Sequence, residues 1–138
     1  MTRSAIERLF DALAARDLAG ALALFADDAE VIDPHYPVPH MRGRAAIEEG
    51  LVWVFGMMAS LGFTIDDYFE RADGRGAAVA VATSHVLRSG MRLDFAQMFA
   101  VEVRDGRITR LRAYTPYGPP GIGGAVLGAV RLWRRVRR

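Results

Sequence analysis

The sequence predicts an α+β fold in which three N-terminal helices cover one face of an antiparallel strand meander. Two observations predict it. In three segments before about residue 59, apolar residues recur at the one-face spacing of a helix. Beyond that point, Gly-containing breaks divide the chain into runs of strand length. Length adds that there is one core, because 138 residues make a single domain that buries about two thirds of the surface of its unfolded chain.

The first helix is predicted over Ser4 to Arg16. It opens on a Ser4-Ala-Ile-Glu7 capping box and carries Ile6, Leu9, Phe10 and Leu13 along one side. Asp17 caps a second, short helix with Leu18, Ala21, Leu22 and Phe25 inward, stopped at Asp27-Asp28. Glu30 to Asp33 reads as a short strand, and the prolines at 34, 37 and 39 make Pro34 to Arg42 a loop. A third helix fits Ala45 to Ala59, ended by Gly62. Four strands follow: Phe63 to Arg71, Ala77 to Arg88, Arg92 to Arg104, and Arg107 to Tyr114. Their short connections imply an antiparallel meander, and its buried face needs the helices as a cover. Three prolines and two glycines then break the ladder, and Ile122 to Val136 forms a helical tail.

Composition narrows the chemistry. With 51% hydrophobic and 25% charged residues and no long uncharged apolar run, the chain has globular proportions and no stable membrane insertion is expected. Met1 to Arg8 carries no secretory pattern, so the expected compartment is the cytoplasm. Absence of cysteine excludes disulfides, thiol nucleophiles and thiolate metal sites, leaving histidine and carboxylate chemistry. The net charge of +2 conceals five arginines within the last eight residues, and the remainder is net negative. That distribution does not suit nucleic acid, which requires cations across a face of the fold.

The order of elements, together with Leu24-Phe-Ala-Asp-Asp-Ala-Glu-Val-Ile-Asp-Pro34 and Arg42-Gly-Arg-Ala-Ala-Ile47, resembles the SnoaL-like and ketosteroid isomerase-related branch of the nuclear transport factor 2-like superfamily, over about Ser4 to Tyr114. The resemblance implies a cone, a curved sheet wrapped around the helices with a pocket at its wide end. It also implies a homodimer formed through the open face of the sheet. Asp33 matches the carboxylate base of the isomerases. The tyrosine and the protonated acid that hold the oxyanion there fall on Leu9 and Gln97 here, so steroid isomerisation by that donor set is not expected. The Arg and Asp residues of the epoxide hydrolases fall on Thr83, His85 and Ala113.

Thr83 and His85, two apart on one strand, face the same way, inward if this correspondence holds. His85 is then the expected acid or orienting partner of Asp33, which loses solvation against an apolar cavity and becomes a usable base. His35, Tyr36 and His40 are expected at the pocket entrance. Trp53, Phe55, Phe95, Phe99 and Leu9 are expected along its wall, with Thr83, Gln97 and Tyr114 as polar contacts. Tyr68 and Tyr117 carry further hydroxyls. A metal held by Asp33, His35, His40 and His85 is a weak alternative, since Asp-x-His with distant histidines lacks a metal-site pattern, and no metal or cofactor is assigned.

These readings point to acid-base chemistry, of isomerase, cyclase, dehydratase or hydrolase type, on a small apolar oxygen-bearing molecule of steroid, terpenoid or polyketide size. The alternative is a ligand-binding or protein-interaction module on the same fold. The tail is expected to fold over the pocket mouth or a neighbouring subunit. Reversible attachment to an acidic membrane surface is its second reading.

Overall fold

A computed structural model describes residues 2–116 and 121–138, so Tyr117 lies outside the described residues. The elements run α1 (Thr2–Ala14), α2 (Leu18–Ala23), β1 (Phe25–Ile32), β2 (His40–Arg42), α3 (Gly43–Met57), β3 (Met58–Glu70), β4 (Gly76–Leu87), β5 (Arg92–Arg104), β6 (Arg107–Tyr114) and α4 (Gly121–Val136). One six-stranded curved sheet has the order β2-β1-β6-β5-β4-β3. The meander from β3 to β6 is antiparallel as expected. β1 joins its far edge in parallel with β6 and pairs antiparallel with β2.

Helix α1 buries Ile6, Leu9 and Phe10 of the predicted stripe, with Ala5 beside them and Leu13 half-buried, against the inner face of the sheet. It starts at Thr2, before Ser4, so Ser4 and Glu7 lie inside the helix and Glu7 pairs instead with Arg3 at 2.8 Å. Asp17 caps α2 as expected, accepting from the Gly20 N–H at 2.9 Å.

Two boundaries differ from the sequence reading for identifiable reasons. The second helix ends at Ala23, and Phe25 begins β1. The Asp27-Asp28 pair expected to stop a helix is an exposed irregularity in that strand, where its register against β6 shifts. The third helix ends at Met57, not Ala59. Arg16, itself in the left-handed region at φ 59°, donates to the carbonyls of Met58, at 2.7 Å, and Phe55, and Arg88 donates to those of Phe55, at 3.1 Å, and Gly56. These guanidinium groups satisfy carbonyls that a helix end leaves open, and β3 begins at once. Gly62 therefore ends no helix. It lies within β3 opposite Ser84, where a side-chain carbon would stand 2.6 Å from the Ser84 carbonyl oxygen. A third difference is β2, a short strand within the segment expected to be loop.

On β4 the alternation buries Ala77, Val79, Val81, Thr83 and His85, so the two polar residues do share the inward face. The Phe10 ring stacks on Phe63 at 4.6 Å and tilts against Phe99 at 5.7 Å, tying α1 to β3 and β5. Phe10→Ala should lower the unfolding free energy by about 3–5 kcal/mol in urea titrations. A loss below about 1 kcal/mol would show that this aromatic contact does not join helix to sheet.

Candidate active site

The helices do not fill the sheet's concave side, and a cavity of about 130 Å³ remains. Its wall is mostly apolar, with Leu9, Phe10, Leu61, Phe63, Phe95 and Phe99 among its residues, and its polar groups are Asp33, His35, Tyr36, His85 and Gln97.

Asp33 immediately follows β1, and the loop from there to β2 folds back on it. The Asp33 N–H donates to the Pro39 carbonyl at 2.8 Å. The Asp33 Oδ1 accepts from the His35 N–H at 2.9 Å and lies 2.7 Å from His35 Nδ1. Pro34 between them favours this turn, in which an aspartate side chain mimics a backbone acceptor. A carboxylate oxygen only accepts, so Nδ1 carries a proton. Among the described residues Oδ2 has no hydrogen-bond partner, and Asp33 is 9% exposed. The partner of Asp33 is thus His35 and not His85, because a two-residue turn places His35 directly against the carboxylate.

His85 lies across the cavity, edge-on to Phe63 at 5.0 Å and perpendicular to Phe95 at 6.1 Å. Phe95 also contacts the His35 ring at 5.2 Å. Burial pushes the His85 imidazole below the ordinary histidine range, against a weaker opposite pull from the Ser84 carbonyl; nearby His35 lowers it and Asp33 raises it. The Gly62 N–H points at Nδ1 from 3.2 Å, which requires a lone pair there. With Nδ1 accepting from Gly62, the neutral ring carries its proton on Nε2.

Tyr36 adds a second hydroxyl. Its hydroxyl end is buried, and burial together with the Asp33 charge pushes it well above the usual phenol range, keeping it a neutral donor. Its ring leans on Trp53 at 5.9 Å and passes Gly50, where a side-chain carbon would come within 3.2 Å of it. Gln97 is 5% exposed. Its amide nitrogen donates to the Thr83 hydroxyl at 2.7 Å, while Oε1 is buried without a partner among the described residues.

Leu9, His35, Tyr36, Trp53, Phe95, Gln97 and Phe99 line the cavity with Asp33 and His85, and four expected residues do not. Thr83 is buried behind Gln97 and orients it. His40 is exposed, 2.7 Å from Glu30, where the bond holds the Glu30 carboxyl below its usual range. Phe55 sits at the end of α3 under the Arg16 guanidinium, 5.4 Å from its ring centre. Tyr114 lies on the outer face, where its ring stacks against Arg112 at 4.9 Å. Sequence reasoning missed Phe10, Leu61 and Leu93, whose apolar spacing is the same whether they face a core or a cavity. Among the described residues no three potential ligands converge as for a metal ion.

The SnoaL-like domain family signature matches residues 6–111, and the chain belongs to that family. No curated protein matches it by sequence. Among solved structures it is similar to the Δ5-3-ketosteroid isomerase of Mycobacterium sp., with 24% identity, 82% of this chain and 91% of that chain covered, and TM-score 0.71. It is also similar to Rv0760c of Mycobacterium tuberculosis in complex with estradiol-17beta-hemisuccinate, with 21% identity, coverage of 82% and 92%, and TM-score 0.73. A third is an LEH-like epoxide hydrolase of M. tuberculosis, with 22% identity, coverage of 81% and 76%, and TM-score 0.69. At these identities the likeness establishes the nuclear transport factor 2-like fold.

Because the folded chain disfavours a charged His85, the unfolded chain takes up that proton first as pH falls through about 6.5. The site then contributes stability that is present above that pH and lost as pH falls toward the folded value. His85→Gln, which keeps an acceptor for Gly62, should flatten the decline in Tm between about pH 7.5 and about pH 5. A Tm profile parallel to the parent's would contradict a buried, neutral His85.

Proposed function

We propose that the protein is a cofactor-independent acid-base enzyme acting on a small apolar carbonyl compound, with Asp33 as the base. The observation that carries this reading is a carboxylate with one oxygen anchored by His35 and the other without a hydrogen-bond partner among the described residues, set in an apolar cavity that also holds neutral donors. In the proposed step Asp33 Oδ2 takes a proton from carbon next to the carbonyl. The C–H electron pair forms the enolate double bond, and the carbonyl pair moves onto oxygen. His85 Nε2–H and the Tyr36 hydroxyl are the candidate donors to that oxygen, in place of the tyrosine that Leu9 replaces. Asp33 returns the proton to the same or a conjugated carbon, so exchange or isomerisation follows with no oxidant or cofactor.

Apolar cavities of about 150 Å³ admit a benzene-sized molecule. The enclosed volume of about 130 Å³ therefore suits a ring of that order, smaller than a whole steroid. A larger substrate would extend past Trp53, which is 37% exposed. Gln97 Oε1 would accept from a substrate hydroxyl. The proposed setting is the cytoplasm, as a homodimer joined through the outer sheet face, where Phe69, Met98 and Tyr114 are exposed.

The test is deuterium exchange next to the carbonyl in a panel of cyclic ketones and enones, followed by NMR. Exchange should fall by about 10²–10⁴-fold in Asp33→Asn. Tyr36→Phe and His85→Gln should each cost about 10²-fold. Compounds that bind without exchanging in the parent protein would overturn the catalytic reading in favour of a ligand-binding module.

A further inference from the structure

Helix α4 plays no part in the cavity and has a chemistry of its own. None of its residues is buried, so within this chain the tail does not pack over the pocket mouth, one half of the expectation that it covers the mouth or a neighbouring subunit. Ile122, Val126, Val130, Trp133 and Val136 follow the spacing of one helical side and are 44–85% exposed. Gly124 and Leu127, its partly covered residues, lie off this stripe. Arg131 and Arg135 fall opposite the stripe and Arg134 on its flank, while Arg137 and Arg138 follow the helix end, the Arg137 guanidinium lying 4.2 Å over the Trp133 ring. The segment 121–138 contains no Asp or Glu, and among the described residues none of these arginines pairs with a carboxylate.

We propose that α4 lies in the surface of an anionic lipid bilayer, its apolar stripe at the acyl boundary and its arginines among the headgroups. The opposition of the two faces decides for a bilayer over a protein groove. A groove that took the stripe would leave the arginines in water, whereas headgroups rise around both flanks of an embedded helix and meet them. A second copy of α4 fits less well, since pairing the stripes would gather two five-cation clusters with no carboxylate on either helix. Trp133 beneath Arg137 suits the interfacial layer, where an indole is half apolar and half wet. No helix among the described residues is long and apolar enough to cross a membrane, so the contact is with the surface. Four glycines among its sixteen residues weaken the helix in water, so a lipid surface should also raise its helicity.

The test is co-sedimentation of the whole protein with vesicles of phosphatidylcholine alone or mixed with phosphatidylglycerol, with circular dichroism alongside. Binding is expected to the mixed vesicles, with a gain in helix, and to weaken in high salt. Arg134→Gln with Arg135→Gln should weaken it about 30-fold. Val126→Asp with Val130→Asp should abolish it while the body's urea transition is unchanged. Absence of binding to mixed vesicles would overturn the proposal, as would equal binding to both lipids. So would self-association without lipid that the Val126→Asp, Val130→Asp variant dissolves, if vesicles do not bind.

Discussion

The site depends on keeping the Asp33 carboxylate hydrogen-bonded where the surrounding wall is apolar. A charge removed from water without such bonds is costly, and the chain meets that requirement locally. The turn through Pro34 delivers both His35 donors to Oδ1, and the Pro39 carbonyl fixes the Asp33 backbone. Because one oxygen satisfies both bonds, the other has no hydrogen-bond partner among the described residues. β2 follows from the same constraint, since the returning loop must pair His40 with Ile32 to close on Asp33.

Opposite this anion, the sheet presents donors that stay neutral. His85 is buried between aromatic rings and has its Nδ1 lone pair engaged by Gly62, so burial and hydrogen bonding select the same tautomer. Gly62 does two jobs there: it lets β3 approach the Ser84 carbonyl and it supplies the N–H. Tyr36 arrives from the Asp33 loop itself. It brings a buried hydroxyl to the cavity from an element other than the sheet.

Much of the fold was legible because it rests on periodicity. The α1 stripe, the Asp17 cap and the β3-to-β6 meander follow from residue spacing and turn residues alone. The end of α3 was not, because Arg16 and Arg88 that satisfy its last carbonyls are remote in sequence. Nor was the parallel pairing of β1 with β6, which is a tertiary choice. In the site, Asp33 and the inward face of Thr83 and His85 were accessible from sequence. The Asp33–His35 bond is as local as the Asp17 cap, yet a distant histidine on a buried strand was the more obvious partner. The placements of His40, Phe55 and Tyr114 depend on which face of an element is covered, and sequence spacing does not reveal that for short or edge segments.

If Asp33 is a base facing a neutral donor across an apolar cavity, ring nitrogen NMR of His85 in the full protein reads that arrangement at its donor end. The ring should be neutral at pH 7 and protonated on Nε2. This nitrogen should also shift when a small planar phenol, mimicking the enolate, enters the cavity. A charged ring, the Nδ1–H tautomer, or an Nε2 signal indifferent to a bound phenol would contradict it.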